Sequence, residues 1–473
     1  MNKRGARKKY RRILENTKNK SLITCITTPL TGTLTCEEIG SGRRSIMALE
    51  TNLNCYWWQA APPQAAPVAP WQDKTDIAII GGGFTGLSAA LTLARAGRNV
   101  VVLEKGLIGE GASTRNGGIT SGNIRLSADQ LKRRFGAERA QAFFDEAVAA
   151  RADLDRFISD EKIDCDYKPC GRLVGLTGQF SADKITRDND AFEARYGIRP
   201  RFIEKGELSD YSGSAGYDGG IFRPDIGGIH PAKLLHEMAR LALAAGARIF
   251  SETPVLSIKR QTTTFTLATD KGVVIADHVI SATNAYTDKA QPWLKRRLVP
   301  VISEMIATEK LGANQVQALM PKLSMFGESK QLGYYYRPSP DGERILLGGR
   351  RMHKDSGQAK QRLHDGLSAI FPELKDAKIE AHWPGFVAFP FDQLPKLAVH
   401  DGIIYPAGFC GSGTVWARWL GQKAAMMILG KESETVFANL AMNTLPLYTG
   451  DPWFLPLAMT YYRLRDRFSV STK

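Results

Sequence analysis

Hydrophobic and polar positions follow a β-α-β pattern that is clearest from residue 76 onward. The run Asp76–Ile80 is short, apolar and β-branched, which is typical of a buried parallel strand. Apolar residues then recur at helical spacing, at Leu87, Ala90, Leu91 and Ala94. A second apolar run, Asn99–Leu103, predicts a neighbouring strand. The pattern therefore predicts a parallel sheet whose first two strands are joined by a crossover helix.

Similar segments return later in the chain. Residues 232–245 have apolar side chains on one helical face, and residues 247–250 predict a further parallel strand. Residues 254–280 alternate with period two in three short runs, which predicts a small antiparallel meander. A late glycine loop, residues 408–413, opens another helix. We expect one domain to be assembled from residues 75–167, 225–288 and 385–440.

The composition of two further segments differs from this pattern. Both residues 168–224 and residues 289–384 are rich in turns and strand-forming residues. Within the second segment, Gly333–Arg337 and Arg344–Gly349 flank the turn Pro338–Gly342 and predict a hairpin. We expect both segments to contribute to one antiparallel sheet in a second domain. The predicted fold class is an α/β Rossmann-like domain joined to an α+β domain.

The two ends of the chain are expected to lie outside these domains. Residues 1–46 are predicted to be a disordered basic extension. Residues 47–74 are predicted to be a linker, because the stretch from 60 to 70 is rich in Pro and Ala. Residues 441–473 are aromatic and then basic, and we expect them to pack on the first domain, with a membrane surface as the alternative.

Composition places the 473-residue chain among globular proteins. Apolar residues make up 43% and charged residues 23%, which excludes a wholly disordered or fibrous chain. Apolar runs all fall short of the ~18 residues that a membrane span needs. The six cysteines contain no CxxC pair, so we expect neither a disulfide scaffold nor a bound metal. A reducing, cytoplasmic location is predicted.

The net charge of +15 is unevenly distributed, because residues 1–46 alone contribute +8. A basic arm of this kind is compatible with binding to nucleic acid or to an anionic surface. It is equally compatible with a transit peptide, or with an extension that precedes a true start at Met47. Because so much of the excess lies in this segment, we do not expect the rest of the chain to bind nucleic acid.

The strongest chemical signal is a glycine motif between the first strand and its helix. Gly81, Gly83 and Gly86 form GxGxxG directly after the strand, and Glu104 ends the next strand eighteen residues past Gly86. The glycines allow a tight turn, close approach of a pyrophosphate and close packing of helix on strand. The phosphates are expected at the helix N-terminus, and Glu104 at the ribose hydroxyls, where it disfavours a 2′-phosphate. The motif predicts a site for an ADP moiety.

A second glycine-rich loop, Gly109–Gly118, follows at once. It contains Ser113, Thr114, Arg115 and Asn116, which offer hydroxyl, amide and guanidinium donors. A domain that binds NAD usually continues instead with another crossover helix. The loop therefore favours the longer cofactor FAD over NAD, an ordinary surface loop being the alternative.

At this point the sequence resembles the D-amino-acid-oxidase-type FAD-dependent oxidoreductases, and most of all the branch of γ-glutamylputrescine oxidase, glycine oxidase and sarcosine oxidase. The resemblance begins with residues 76–118, where GASTRNGG is similar to the GASGRNGG loop of the first of these enzymes. Five further segments match in order, at residues 227–231, 251–255, 280–286, 383–395 and 407–413. The resemblance implies a glutathione-reductase-type FAD-binding domain and a second domain that covers the flavin.

The glycine motif, the second loop and the resemblance together predict which residues hold FAD. The expected cofactor-binding residues are Gly81, Gly83, Phe84, Thr85, Gly86, Glu104, Lys105, Ala112, Ser113, Thr114, Arg115, Asn116, Gly117, Val255, Thr283, Gly408, Gly411, Ser412, Gly413 and Thr414. The sarcosine oxidase branch attaches FAD to a cysteine, whose place here is similar to that of Gly385. Non-covalent FAD is therefore expected.

The resemblance implies oxidation of a C–N bond in a small amine or amino-acid derivative, with a γ-glutamylputrescine-like amine as the first candidate. Candidates for positioning the substrate are Tyr335, Arg337, Phe389 and His230. An aromatic wall can hold the amine, and Arg337 can bind a carboxylate. The alternatives are plain packing for one ring of residues 334–336, an exposed charge for Arg337 and a helix cap for His230.

The electron acceptor stays open between oxygen and another molecule. Sarcosine oxidases use a lysine near the flavin to activate oxygen, and Leu346 is similar in position. A dehydrogenase is therefore an alternative. Two further alternatives are a relative that modifies tRNA, where the positive charge would bind RNA, and a flavin-bearing binding protein without activity.

Overall fold

The structure is a computed structural model that describes residues 54–214, 216–352 and 355–468. The predicted basic extension 1–46 and the first part of the predicted linker lie outside the described residues. Residues 50–473 form one unit by their contacts. The division of this unit into a cofactor domain and a substrate domain stays a prediction.

The described residues contain two sheets surrounded by helices. The strands are β1 Lys74–Ile80, β2 Val100–Leu103, β3 Arg172–Leu176, β4 Arg201–Glu204, β5 Gly219–Arg223, β6 Arg248–Phe250, β7 Val255–Arg260, β8 Phe265–Thr269, β9 Val273–Ser281, β10 Val299–Thr308, β11 Met325–Glu328, β12 Tyr335–Pro338, β13 Ile345–Arg350, β14 Ile379–Phe389, β15 Lys396–His400 and β16 Ile403–Ala407. The helices are α1 Phe84–Arg95, α2 Ala128–Phe135, α3 Ala137–Asp160, α4 Ala182–Tyr196, α5 Pro231–Ala244, α6 Pro292–Lys295, α7 Ala313–Leu319, α8 Ser356–Ile370, α9 Gly413–Ile428 and α10 Leu455–Phe468.

The first sheet has the order β15-β16-β9-β1-β2-β6, with β7 and β8 attached to β9 as a meander. β1 pairs in parallel with β2 on one side and with β9 on the other. Their apolar residues are buried on both faces, as expected for a central parallel strand. The predicted β-α-β unit and the predicted meander are both confirmed.

Helices α1 and α9 lie together against this sheet and bring their N-termini to one side of it. They lie in close contact at Gly421, where an added Cβ would overlap the Thr85 carbonyl. Only a glycine allows this spacing, so the two glycine loops that precede α1 and α9 are held close to each other.

The second sheet has the order β14-β10-β13-β12-β11-β3-β5-β4. Its pairs are antiparallel except for β3 and β11, which run parallel. The two segments expected to build one sheet do so, and the predicted hairpin forms, with Tyr336 opposite Leu347. The sheet is mixed rather than purely antiparallel, and β14 continues to Phe389, beyond the predicted boundary at residue 384.

The segments that flank the two predicted domains contact the rest of the described chain. Residues 54–64 are not a linker, because Cys55 and Trp57 are buried and Gln64 pairs with Ile108. The described part of the C-terminal segment contacts both predicted domains, since Tyr448 and Phe454 pack against Phe391 and Tyr448 also packs against Val299 and Val301 of the second sheet. Asp466 accepts the backbone N–H groups of Gln331 and Leu332, both at 2.8 Å.

Within the described part of the chain, no helix combines the length and the apolarity that a bilayer span requires. The same residues contain no group of three His, Cys, Asp or Glu side chains placed to hold a metal ion. The four described cysteines, Cys55, Cys165, Cys170 and Cys410, are free thiols.

Candidate active site

The glycine motif forms a tight turn at the end of β1. Gly81 has a φ of +104°, and its N–H donates to the Leu103 carbonyl at 2.9 Å. A Cβ on Gly86 would overlap the Gly81 carbonyl, so the helix packs on the turn only because Gly86 lacks one. Helix α1 then begins at Phe84, with Gly83 as its N-cap. The turn leaves room for a phosphate at the positive end of the helix.

Glu104 closes this turn from the end of β2. Its carboxylate accepts the N–H of Gly82 at 2.6 Å and the N–H of Gly106 at 3.0 Å. Burial raises the pKa of Glu104, and the two N–H donors oppose that shift. The side chain thus lies against the glycine loop, where the sequence places a ribose.

The second glycine-rich loop is held in shape by its own side chains. Asn116 accepts the Gly118 N–H at 2.8 Å and donates to the Ser113 carbonyl at 2.8 Å. The Ser113 hydroxyl accepts the Phe84 N–H at 3.0 Å, which joins this loop to the start of α1. Thr114 is fully buried and donates to the Gly109 carbonyl. The two loops therefore form one continuous cradle.

Three buried polar atoms along the cradle have no hydrogen-bond partner among the described residues. Arg115 is buried, and its Nε and Nη1 atoms have no hydrogen-bond partner among the described residues. The Tyr286 hydroxyl is also buried and unpartnered, and the charge of Arg115 lowers its pKa against the larger effect of burial. Lys105 lies 5.3 Å from the Tyr286 ring. A ligand with phosphate and polar ring atoms, such as FAD, fits these donors.

Three later segments complete the cradle. Asn284, next to Thr283, accepts the Gly408 N–H at 2.8 Å. Ser412 is the N-cap of α9 and makes no side-chain cap, so the positive helix end stays open. The Thr414 hydroxyl lies 3.4 Å from the Asn116 side chain. The expected loops therefore meet, and Val255 is buried at the start of β7.

Cys410 lies in the last of these loops and is a packed thiol. It donates to the Gly408 carbonyl at 3.1 Å, and burial raises its pKa to about 12. Gly385, opposite the loop on β14, has no side chain to offer. These features support the expectation of non-covalent FAD.

One face of the second sheet covers the cradle. Tyr335, Gly348, Met305 and Trp383 stand in register across four strands and therefore share a face. The Trp383 indole donates to the Arg115 carbonyl at 3.0 Å. This row of residues lies directly against the loop that is expected to hold the flavin.

Tyr335 and Phe389 both lie on this face, and these two rings are here called the aromatic wall. The Tyr335 ring crosses Gly348 and packs on Gly117, and its hydroxyl lies 3.1 Å from the Ser303 hydroxyl. The neighbouring Tyr336 points the other way and is fully buried in the core of the second sheet. Contact of Tyr335 and Phe389 with a substrate stays a prediction.

The expectation that Arg337 binds a substrate carboxylate is wrong. Its Nε donates to the Pro338 carbonyl at 3.0 Å, and its Nη1 donates to the carbonyls of Gly117, Gly118 and Ile229 at 3.2, 3.1 and 2.7 Å. The alternative of an exposed charge is also wrong, because Arg337 is buried. Arg337 instead joins the second sheet to the second glycine-rich loop, Gly109–Gly118, here called the flavin loop.

His230 has the capping role that the sequence left as an alternative. Its Nδ1 accepts the Lys233 N–H at 3.2 Å at the start of α5. Burial lowers the pKa of His230 to about 4, so the ring is neutral at neutral pH. It packs edge-on against Trp57 with ring centroids 4.9 Å apart. We therefore assign His230 a structural role beside the site, as the cap of α5.

An aromatic segment at residues 55–58, here called the strap, holds the flavin loop from outside. The Trp57 indole donates to the Asn116 carbonyl at 2.8 Å, and the Trp58 indole donates to the Thr114 hydroxyl at 2.9 Å. The Arg115 guanidinium lies 4.9 Å from the Trp58 ring. The sequence analysis missed the strap, although two adjacent tryptophans are an unusual signal in a linker.

Two further arginines were also missed. Arg125 and Arg350 approach the Phe389 ring, with their Cζ atoms 5.8 and 5.4 Å from its centroid. No carboxylate of the described residues lies within ion-pair distance of either. Burial lowers the pKa of Arg350 to about 10, which leaves it protonated at neutral pH, and burial also lowers the pKa of Arg125. Arg350 donates to the Gln331 carbonyl, but neither guanidinium beside Phe389 has a counter-ion in the described part of the chain.

With this geometry in place, comparison with known proteins defines the class. The family model of FAD-dependent oxidoreductases, DAO, matches residues 76–427. The chain belongs to this family. It is 32% identical over 422 residues to the probable oxidoreductase OrdL of Rhizobium meliloti (strain 1021), covering 87% of this chain and 97% of that protein.

Two other relatives have more specific names. The γ-glutamylputrescine oxidoreductase of Escherichia coli (strain K12) is 32% identical over 406 residues, covering 84% of this chain and 93% of that protein. Among solved structures, the glycine oxidase of Geobacillus kaustophilus superposes with a TM-score of 0.65 at 23% identity, covering 80% of this chain and 99% of that chain. The predicted family, fold class and cofactor FAD are thus confirmed, and the protein is an FAD-dependent oxidoreductase that acts on amines or amino acids.

The strap predicts that FAD affinity depends on Trp57. In Trp57→Phe the ring is kept but the N–H donor to the flavin loop is lost, at a cost of about 1–3 kcal/mol. We expect the dissociation constant for FAD, measured by flavin fluorescence after reconstitution of apoprotein, to rise about tenfold. Trp453→Phe, at an exposed tryptophan, is the matched control. Equal FAD affinity of the two variants would show that the strap is not coupled to the cofactor.

The cap at α5 predicts a pH dependence of stability. The unfolded chain protonates His230 near pH 6.5, whereas the folded chain does so only near pH 4. Stability is therefore lost as pH falls through this window, by ~2 kcal/mol between pH 6.5 and 5. His230→Asn keeps a capping acceptor and removes this loss. Urea unfolding at pH 7 and pH 5 measures it, and an identical pH dependence of the two proteins contradicts the assignment.

Proposed function

We propose that the protein oxidises the C–N bond of an amine that carries a carboxylate, with γ-glutamylputrescine as the first amine to test. The observation that carries the proposal is the pair Arg125 and Arg350 around Phe389, at the open end of the wall that covers the flavin loop. Poorly solvated cations without a counter-ion are costly, and an anionic ligand offsets that cost. The name of the Escherichia coli relative supports the choice of the first amine.

The proposed reaction needs a hydride acceptor and side chains that position the substrate. FAD, held by the two glycine-rich loops, would supply the acceptor for a hydride from the carbon beside the nitrogen. The nitrogen loses its own proton, so an imine forms, and water then hydrolyses it to a carbonyl compound and ammonia or an amine. The protein has to hold the reacting carbon in line, which is the part we assign to Tyr335, Phe389 and the two arginines. The aromatic rings receive the amine, and Arg125 and Arg350 receive the carboxylate.

Few groups near the wall have a pKa suited to proton transfer. Burial raises the pKa of Tyr335, and its hydroxyl is engaged with Ser303. The Cys410 thiol is held protonated, and His230 is a neutral cap on another element. This supports a reaction in which the substrate amine enters already deprotonated and the protein mainly positions it.

A second candidate is a dehydrogenase that passes electrons to an acceptor other than oxygen. Leu346 is fully buried beside Met305 and Trp383, on the strand where the resemblance places an oxygen-activating lysine. An apolar residue there supplies no charge for superoxide-like states of oxygen. The cytoplasmic location stays a prediction, and the free thiols of the described cysteines are compatible with it.

The arginine pair predicts a selective loss in Arg350→Met. For an amine with a carboxylate, we expect kcat/KM to fall about 10- to 100-fold, as is typical when a charge-assisted hydrogen bond is removed. For the same amine with the carboxylate replaced by an amide, the change is expected to stay below about threefold. Arg187→Met, at an exposed arginine, is the control. Equal losses for the acid and the amide would contradict a carboxylate site.

The dehydrogenase candidate predicts little peroxide. After anaerobic reduction by the amine, readmitted air should reoxidise the flavin slowly, and a dye acceptor should do so quickly. Peroxide yield and the reoxidation rate measure this. In Leu346→Lys we expect faster reaction with oxygen. Rapid and stoichiometric peroxide from the unmodified protein would instead assign it as an oxidase.

A further inference from the structure

Arg172 is a third uncompensated cation on the flavin-facing side of the second sheet. Its strand β3 pairs in parallel with β11, and Val174 stands opposite Gly327. Gly327 in turn stands opposite Tyr335, so Arg172, Val174 and Tyr335 share one face. A Cβ on Gly327 would overlap the Arg172 guanidinium. The side chain therefore lies across β11 toward Tyr335, over a strand position that is kept clear by a glycine.

The Arg172 guanidinium has no counter-ion in the described part of the protein. Its Nε is buried without a hydrogen-bond partner, and no ion pair includes it. Burial, and then the charges of Arg223 and Arg125, lower its pKa to about 10, which leaves it protonated at neutral pH. Arg223 stands opposite Arg172 on β5, and its own partner Asp225 is bound by Arg223 at 2.7 Å and by Arg151 at 2.8 Å.

Tyr335 separates this cation from the arginine pair. Arg172 reaches over β11 on one side of β12, whereas Arg350 stands on β13 on the other side. Adjacent strands are about 4.8 Å apart, so β11 and β13 lie about 10 Å apart. Arg125 is near both, since its charge lowers the pKa of Arg172 and that of Arg350. Positive charge therefore lies on both sides of Tyr335, at Arg172 and at Arg350.

We propose that Arg172 forms a second anion-binding subsite, and that the natural substrate is an amine that carries two carboxylate groups. This inference rests on the proposed function and narrows its substrate class, so γ-glutamylputrescine, which has one carboxylate, is expected to be a poorer substrate than an amine with two. One carboxylate binds between Arg125 and Arg350, and the other binds Arg172 beyond the Tyr335 ring. A substrate with a single carboxylate leaves the Arg172 charge buried and unpaired, which is unfavourable.

The test compares binding and turnover in the FAD-loaded protein. Succinate, glutarate and adipate are titrated as non-reacting probes against propionate and butyrate, with the shift of the flavin absorption band as the signal. At least one dicarboxylate is expected to bind ten or more times as tightly as either monocarboxylate. In Arg172→Met this advantage falls to below threefold, while the affinity for the monocarboxylates is unchanged.

Kinetics give the second measurement. For amines with two carboxylates, Arg172→Met is expected to lower kcat/KM about 10- to 100-fold, with less than threefold change for amines with one. Arg172→Lys keeps the charge and should retain part of the preference, and Arg187→Met should behave as the unmodified protein. Equal affinity for both kinds of acid, or equal losses for both kinds of amine, overturns the second subsite. If Arg350→Met also shows no preference for acids, the proposed function itself fails, so the two failures are distinguishable.

Discussion

The arrangement of the site depends on one contact, the convergence of the Gly117, Gly118 and Ile229 carbonyls on the Arg337 guanidinium. Arg337 belongs to the second sheet, whereas the glycines belong to the loop that packs on the first. Because the charge is buried and its hydrogen bonds go to backbone carbonyls, neither side can withdraw without leaving a charged group unpaired. The contact therefore sets the position of the flavin loop against the sheet face that carries Tyr335, and every inference about substrate geometry starts from it.

Two kinds of arginine lie around the aromatic wall. Arg337 is surrounded by carbonyl groups and has a structural role. Arg125, Arg350 and Arg172 lie near the aromatic wall without a counter-ion among the described residues, although Arg350 also donates to the Gln331 carbonyl. A fold that tolerates three uncompensated charges in one region does so at a cost to its stability, and a bound anion is the simplest way to offset it. The cations that lack a counter-ion thus support the proposal that the substrate carries carboxylate groups.

Local patterns predicted much of this structure, and long-range packing explains what they missed. The strand, glycine turn and helix around Gly81 depend on neighbours in sequence, and so does the hairpin that presents Tyr335. The role of Arg337 depends on carbonyls that lie more than 100 residues away. The strap at Trp57 precedes a Pro- and Ala-rich stretch that indicated a linker, and its partner Asn116 is 59 residues distant. The arginine cluster forms only because β3 pairs in parallel with β11, which no local pattern specifies.

The most direct measurement of the central claim is the visible spectrum of the purified protein, recorded anaerobically before and after addition of amines with and without carboxylates. The account predicts a yellow protein whose flavin absorption near 450 nm is bleached by a carboxylate-bearing amine and little affected by the corresponding amine without one. A protein that stays colourless after reconstitution with FAD, or a flavin that no carboxylate-bearing amine reduces, would contradict it.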